Sequence, residues 1–186
     1  MEAELPDATK IWHYMRSWKW ARALSLEPCW KGETRCALWF SRLSAFEDEM
    51  EGKCPEENVR RMKRFARKAF GEDGLREVFA DLKKRELRQR YAAFVNCWHI
   101  NDNESLEMWE RYGGTPEGLA IQSTVGVVRS CLDLHGGGKV EYYHPATGLR
   151  SHTIGTQDKF LKLTDYNWEN EFRFVISDDK LVESSE

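Results

Sequence analysis

The sequence predicts an α+β fold with a mainly antiparallel sheet. Segments of strand character lie near both ends of the chain, at residues 9–15 and 168–176, and segments of helical periodicity lie between them. The order lacks the regular strand-helix-strand alternation of a doubly wound parallel sheet. We therefore expect a sheet assembled from distant segments, with helices inserted between its strands.

Length and composition favour one domain over residues 1–186. With 186 residues, of which 41% are hydrophobic, the chain can build one well-packed core and is short for two. No apolar run reaches the length of a membrane span and the N-terminus is acidic, so we expect no membrane partner and a cytoplasmic location. The five cysteines are widely spaced without a CxxC pair, which fits a reducing compartment and argues against a zinc site.

The first half of the chain reads as a strand, a short helix, a second strand, an acidic loop and a helical pair. In chain order these segments are residues 9–15, 17–26, 36–42, 45–57 and 58–91. Ser17 is a possible N-cap of the short helix. In the helical pair, apolar residues recur at helical spacing on either side of a GEDG break.

The second half reads as alternating strands and short helices. Strands are predicted at residues 91–100, 118–124, 139–144 and 168–176, and helices at 103–113 and 125–134. DKFLKL, residues 158–163, leads into the closing strand. HGGG, residues 135–138, is interpreted as a turn, and because a strand follows it, it lacks the helix N-terminus of a phosphate loop. The common nucleotide, metalloprotease and hydrolase signatures are absent.

The charge of the chain is unevenly distributed. Residues 59–91 contain 12 Lys and Arg against 5 Asp and Glu, a net charge of +7, whereas the rest of the chain carries −10. We therefore interpret residues 58–91 as a basic helical insertion in an acidic body. Its clustered cations are candidates for contact with nucleic-acid phosphates, although a charged helix face is more often simply solvated. The candidate contact residues are Arg60, Arg61, Lys63, Arg64, Arg67 and Lys68.

The closing strand WENEFRFVI places two carboxylates on one face. Alternation directs Phe172 and Phe174 to one side, and Glu169, Glu171 and Arg173 to the other. Such a face is commonly solvated, with the arginine neutralising its neighbours. The alternative is that the two carboxylates face a catalytic cleft.

Several motifs in order resemble the bacterial family known as domain of unknown function 2971. They are LWFSRLSAFEDEMEG, VNCWH, ESLEMWERYG, GLAIQST and FLKLTDYNWENEFRFVI, and together they span most of the chain. The acidic loop departs from the family pattern, with Glu47 where asparagine is usual and Met50 in place of the residue after proline. The family name implies no activity.

A more distant resemblance is to the ADP-ribosyltransferase superfamily and its fold. The order of Arg16, Ser123-Thr124 and Glu169-x-Glu171 resembles the arginine-serine-glutamate arrangement of that superfamily. The resemblance implies an enzyme that uses NAD to modify a protein or nucleic acid, in the manner of a toxin or phage-defence effector. It also implies Glu171 as the catalytic residue and Glu169 as the residue that directs the acceptor. The implied NAD-binding residues are His13, Tyr14, Arg16, Ser123, Thr124, Trp109 and Tyr112.

Other interpretations of these residues remain open. Thr124 and Ser123 are also suited to cap the helix that follows, and Arg16 to pair with an acidic neighbour. Trp109 and Tyr112 have the helical spacing of core residues. His13, beside a tryptophan, has the character of a satisfied half-buried residue.

The acidic loop supports a different class of enzyme. Carboxylates are the ligands that magnesium prefers, and with the basic helices they would suit a metal-dependent nuclease. The candidate ligands are Glu47, Asp48, Glu49 and Glu51, together with Glu169 or Glu171. No spacing signature fixes a metal there, so a solvated turn is the simpler interpretation. A third possibility is a binding module without catalysis.

Overall fold

The structure, a computed structural model, describes residues 5–16, 38–114, 117–132, 136–149 and 158–177. The helix predicted at 17–26 lies outside these ranges, as do the first two residues of the strand predicted at 36–42. The described residues confirm the α+β class and the mainly antiparallel sheet. No helix within these ranges is long and apolar enough to cross a membrane.

The chain forms two compact units. The described residues of the first fall within Met1–Phe40, Asn96–Lys139 and Glu169–Phe174. Those of the second fall within Ser41–Val95, Val140–Trp168 and Val175–Glu186.

Eight strands and three helices are described. The strands are β1 (Lys10–Met15), β2 (Ser41–Arg42), β3 (Ala93–Ile100), β4 (Leu119–Thr124), β5 (Gly136–Lys139), β6 (Glu141–Tyr143), β7 (Leu161–Leu163) and β8 (Glu171–Ser177). The helices are α1 (Glu56–Ala92), α2 (Leu106–Met108) and α3 (Val125–Cys131). A π-turn, Trp109–Gly113, extends α2, and 3-10 helices span Leu43–Ala45, Asp158–Phe160 and Thr164–Glu169.

The main sheet has the strand order β4-β1-β3-β8-β5. Strand β1 lies antiparallel to both of its neighbours, with Trp12 opposite His99 on β3 and opposite Gln122 on β4. Strand β2 pairs with the start of β3, and β6 and β7 form a separate parallel pair. Consecutive strands along the chain are thus mostly not neighbours in the sheet, as the sequence predicted.

Helix α1 is a helical hairpin, as the GEDG break predicted. Gly71 has φ 72° and ψ −166°, a backbone conformation that is not helical and that glycine adopts readily. In a straight helix Lys63 and Phe79 would lie about 24 Å apart along the axis. The Lys63 ammonium instead lies 4.4 Å from the centre of the Phe79 ring, so the chain folds back at Gly71.

The turn predicted at HGGG is wrong, because Gly136–Lys139 form strand β5 beside β8. A Cβ on Gly137 would lie 3.3 Å from both the carbonyl oxygen of Arg173 and the Phe172 ring. Glycine therefore permits a close approach to β8 that a larger residue would hinder. Glycine carries no side-chain alternation, so the sequence held no strand signal there.

Candidate functional site

The main sheet has an apolar face and a polar face. The apolar face carries Ile11, Trp98, Phe172 and Phe174, which form a buried core with Val125 and Val128 of α3. Alternation along β1 and β8, together with the pairing of Trp12 with His99, sets the opposite face. This polar face carries Trp12, Tyr14, His99, Glu171 and Arg173.

The polar face is buried where β8 crosses it. Glu171 is 3% exposed and Arg173 is 0% exposed. The Arg173 guanidinium donates to both carboxylate oxygens of Glu171, from Nε at 2.7 Å and from the second nitrogen at 3.0 Å. Bidentate pairs of this kind are strong and fix the carboxylate in one orientation. The solvated-face interpretation of the Glu-x-Arg pattern is thus wrong for these two residues.

The closing segment is not one continuous strand. The chain is a 3-10 helix up to Glu169, and Asn170 has φ 38°, a left-handed conformation that asparagine tolerates better than most residues. The Asn170 side chain donates to the carbonyl of Ile100 at 2.6 Å, and the Asn170 carbonyl accepts the Ile100 N–H at 2.9 Å. Strand β8 therefore begins at Glu171, and the strand predicted from residue 168 is wrong over its first three residues.

Glu169 is held at the edge of the polar face. It is 3% exposed, and its carboxylate accepts a hydrogen bond of 2.5 Å from the Tyr112 hydroxyl. Its backbone carbonyl accepts from Nδ1 of His99 at 2.6 Å. Glu169 and Glu171 are thus both buried in the same unit, each bonded to a different residue.

His99 carries its proton on Nδ1. A carbonyl oxygen accepts only, so Nδ1 donates to Glu169, and Nε2 then accepts from the Asn101 side-chain amide at 3.3 Å. The ring is buried and both nitrogens are bonded. His99 thus holds the backbone at Glu169.

Three aromatic residues are connected to this cluster, through Glu169 and His99. The Tyr14 ring lies edge-on to Trp109 at 5.2 Å and 6.3 Å from His99, while Tyr112 bonds to Glu169. The Tyr14 hydroxyl accepts the N–H of Ser105 at 2.8 Å. Burial raises the pKa of the Tyr14 phenol, the Ser105 N–H opposes the rise, and the Glu104 carboxylate adds to it. Tyr14 is therefore a neutral phenol at physiological pH.

The predicted NAD-binding residues do not all meet at this cluster. His13 points to the apolar face, where Nδ1 donates to the Cys97 carbonyl at 2.7 Å and the ring lies 5.2 Å from Trp98. Ser123 pairs with Ile11 and so also lies on the apolar face. Thr124 caps α3, as the alternative interpretation expected, because its hydroxyl accepts the N–H of Val127 at 3.3 Å.

Arg16 follows β1 and is exposed. Gly114, with φ 68°, lies beneath its side chain, since a Cβ there would lie 3.1 Å from Cγ of Arg16. Gly114 directly follows the π-turn that carries Trp109 and Tyr112. Arg16 therefore lies beside the segment that supplies the aromatic residues of the cluster.

No family model, curated protein or solved structure matches this chain. Its function is therefore inferred from the contacts of these residues. Sequence reasoning did not assign a site role to Arg173 or His99. The Glu-x-Arg spacing on a strand was the available signal for Arg173, since it places both side chains on one face. The bond of His99 to a backbone carbonyl 70 residues away had no local signal.

The acidic loop has a structural partner in its own unit. Glu51 is buried and pairs with buried Lys162 at 3.3 Å, and Asp48 accepts the N–H of Met50 at 2.8 Å. Over the part of the chain that the structure describes, no group of three or more His, Cys, Asp or Glu could hold a metal ion. Glu51 thus neutralises Lys162 in the described structure.

The six predicted phosphate contacts differ in their surroundings. Glu57 lies within 3.7 Å of Arg60, 3.5 Å of Arg61 and 3.3 Å of Arg64. Arg61 also donates to the carbonyls of Thr147 and Leu149. Arg60 also pairs with Glu56 at 3.1 Å, so these three guanidinium groups meet two carboxylates and positive charge remains in excess.

Beyond the Glu57 cluster lie Lys63, Arg67 and Lys68. Arg67 pairs with Glu72 at 2.8 Å, and Lys63 lies over the Phe79 ring. Lys68 is exposed and has no ion-pair partner among the described residues.

Proposed function

We propose that this protein cleaves the bond between nicotinamide and ribose in NAD and transfers ADP-ribose to a macromolecule. The observation that carries the proposal is that two carboxylates of the closing segment, Glu169 and Glu171, are both buried and are held by Tyr112 and Arg173. Carboxyl groups fixed in a buried site suit a cationic ring and a reaction that develops positive charge.

The chemistry assigns a role to each carboxylate. When the bond from ribose C1 to the nicotinamide nitrogen breaks, its electron pair neutralises the ring and positive charge develops on the ribose. Glu171, oriented by Arg173, stabilises that charge and accepts a hydrogen bond from a ribose hydroxyl. Glu169 accepts the proton of the nucleophile that bonds to C1.

The neighbouring residues supply binding and position. Tyr14, Trp109 and Tyr112 offer ring surfaces for nicotinamide, and the Tyr112 hydroxyl holds Glu169 in place. Arg16 is suited to the pyrophosphate, since it is exposed and adjoins the same turn. Arg173 orients Glu171, and Ser123 lies on the opposite face of the sheet. Such an enzyme would serve as a toxin or phage-defence effector.

Nicotinamide release from NAD tests this proposal. We expect release by the wild-type protein in metal chelator, a loss in Glu171→Gln, and a reduced rate in Tyr112→Phe, which frees Glu169 from one hydrogen bond. Glu110→Gln is the matched control, because Glu110 is an exposed carboxylate in the same turn as Tyr112 and should leave release unchanged. Absence of both release and calorimetric NAD binding would overturn the proposal. Activity on nucleic acid that requires magnesium would favour the nuclease interpretation instead.

We further propose that the basic hairpin α1 presents a nucleic acid to this enzyme as acceptor. The supporting observation is that all six of its predicted contact residues are exposed cations. Surface ion pairs contribute only about 0–1 kcal/mol, so phosphates can replace the carboxylate partners. Binding that weakens steeply with added salt is the expected result, and salt-independent binding would contradict it.

A further inference from the structure

The end of hairpin α1 carries two exposed phenylalanines. Phe65 is 66% exposed and Phe70 is 63% exposed, and their rings meet edge to face at 6.3 Å. Both precede the fold-back at Gly71, so they lie at the tip of the hairpin. Large apolar side chains are rarely this exposed as an adjacent pair without a partner.

The same tip carries cations. Arg64, Arg67 and Lys68 lie within a turn of the two rings and are exposed. Such a rim of charge disfavours partners that bind by apolar burial alone. A polyanion with planar rings matches both the phenylalanine rings and the cations around them. Single-stranded nucleic acid has this chemistry, because its bases are free to stack on aromatic rings while its phosphates meet lysine and arginine.

We propose that the hairpin tip binds single-stranded nucleic acid, with bases stacking on Phe65 and Phe70 and phosphates bound by Arg64, Arg67 and Lys68. Duplex nucleic acid would offer the phosphates but keep its base faces stacked internally, so it would gain nothing from the rings. This inference rests on the proposed nucleic-acid contact and specifies its substrate class. It also separates the tip from Arg60 and Arg61, which lie nearer the start of the helix and share Glu57.

Fluorescence anisotropy with labelled oligouridylate, oligothymidylate and a mixed-sequence duplex, each of about 20 residues per strand, tests the proposal. We expect the single strands to bind more tightly than the duplex. Phe65→Ala and Phe70→Ala should each lower single-strand affinity roughly 5- to 150-fold while leaving the salt dependence unchanged. Lys68→Gln should reduce the slope of log affinity against log salt by about 0.7.

Leu87→Ala is the matched control, since Leu87 is an exposed apolar residue of the same helix away from the tip. It should bind as the wild type does, and circular dichroism should show unchanged helix content in every variant. Equal affinity for single strands and duplex, or phenylalanine variants that bind single strands normally, would overturn the inference and leave the proposed phosphate contact standing. No binding to any of the three probes would overturn both this inference and the proposed nucleic-acid contact of the hairpin. Nicotinamide release would still test the proposed enzyme activity separately.

Discussion

Replacement of Arg173 with methionine tests whether the polar face is a buried ion-pair site. The change removes a guanidinium that makes two hydrogen bonds to Glu171, at 2.7 and 3.0 Å, where neither residue is more than 3% exposed. Methionine retains most of the volume, so the main loss is electrostatic. The Glu171 carboxyl group then lies buried without its guanidinium.

Removal of one partner of a buried ion pair costs about 3–5 kcal/mol, because the remaining charge is left without compensation. The free energy of unfolding of a typical domain is roughly 5–15 kcal/mol, so this loss would remove a large part of it. Arg85→Met provides the matched control. Arg85 pairs with Asp81 at 2.8 Å, but the two side chains are 48% and 57% exposed. That change should cost at most about 0.5 kcal/mol, as for other helix surface pairs.

Urea unfolding followed by tryptophan fluorescence measures both variants. The double variant Glu171→Leu/Arg173→Met should recover much of the loss, since paired removal of a buried ion pair is often neutral. If Arg173→Met lowers the free energy of unfolding by no more than Arg85→Met does, the Arg173–Glu171 pair behaves as a solvated surface pair. The inference of a site shielded from water then fails. The same result would weaken the proposed role of Arg173 in orienting Glu171.

Two further predictions concern the second unit. Gly74→Ala should destabilise the hairpin by about 1–3 kcal/mol, because a Cβ there would overlap the Cβ of Phe70. At Gly71 an added Cβ meets no atom, and Gly71→Ala should cost about 1–3 kcal/mol through the backbone conformation alone, φ 72° and ψ −166°. Both are measured by thermal unfolding. Burial, Asp158 and Glu86 raise the pKa of Cys54 from 9.0 to about 12. The unfolded thiol ionises first, so stability should be retained below pH 9 and fall as the pH rises towards 12, and Cys54→Ser should flatten that fall in urea titrations.

The strands and the hairpin were predictable because their signals are local. Alternation of apolar residues located β1, β3, β4 and β8, and the GEDG break located the fold-back at Gly71. Strand β5 and the kink at Asn170 were missed for opposite reasons. The glycines of β5 have no side chains to alternate, whereas residues 168–170 alternate well but are turned by a left-handed asparagine whose side chain bonds to Ile100.

The candidate site was only partly predictable. Alternation correctly placed Glu171 and Arg173 on one face, but it did not predict whether that face is exposed to solvent or buried. Burial depends on which residues cover a strand, and those residues can be distant in sequence, so local patterns do not predict it. The contacts that define the cluster join Glu169 to Tyr112 and to His99, which are 57 and 70 residues away. For the same reason the sequence grouped Ser123 with Glu171, although the strand register places them on opposite faces.

The burial of the Glu171–Arg173 pair argues for a function more strongly than for stability. Bringing two charges out of water costs several kcal/mol per ion, and a buried pair often only offsets that cost. Apolar residues of similar volume would serve the fold as well, as Val175 does two residues further along the same face. Glu169 adds a second buried carboxyl group to the same unit. Under the proposed function, a site that stabilises developing positive charge needs such groups fixed before the substrate arrives, and that requirement would account for both carboxylates and for the residues that orient them.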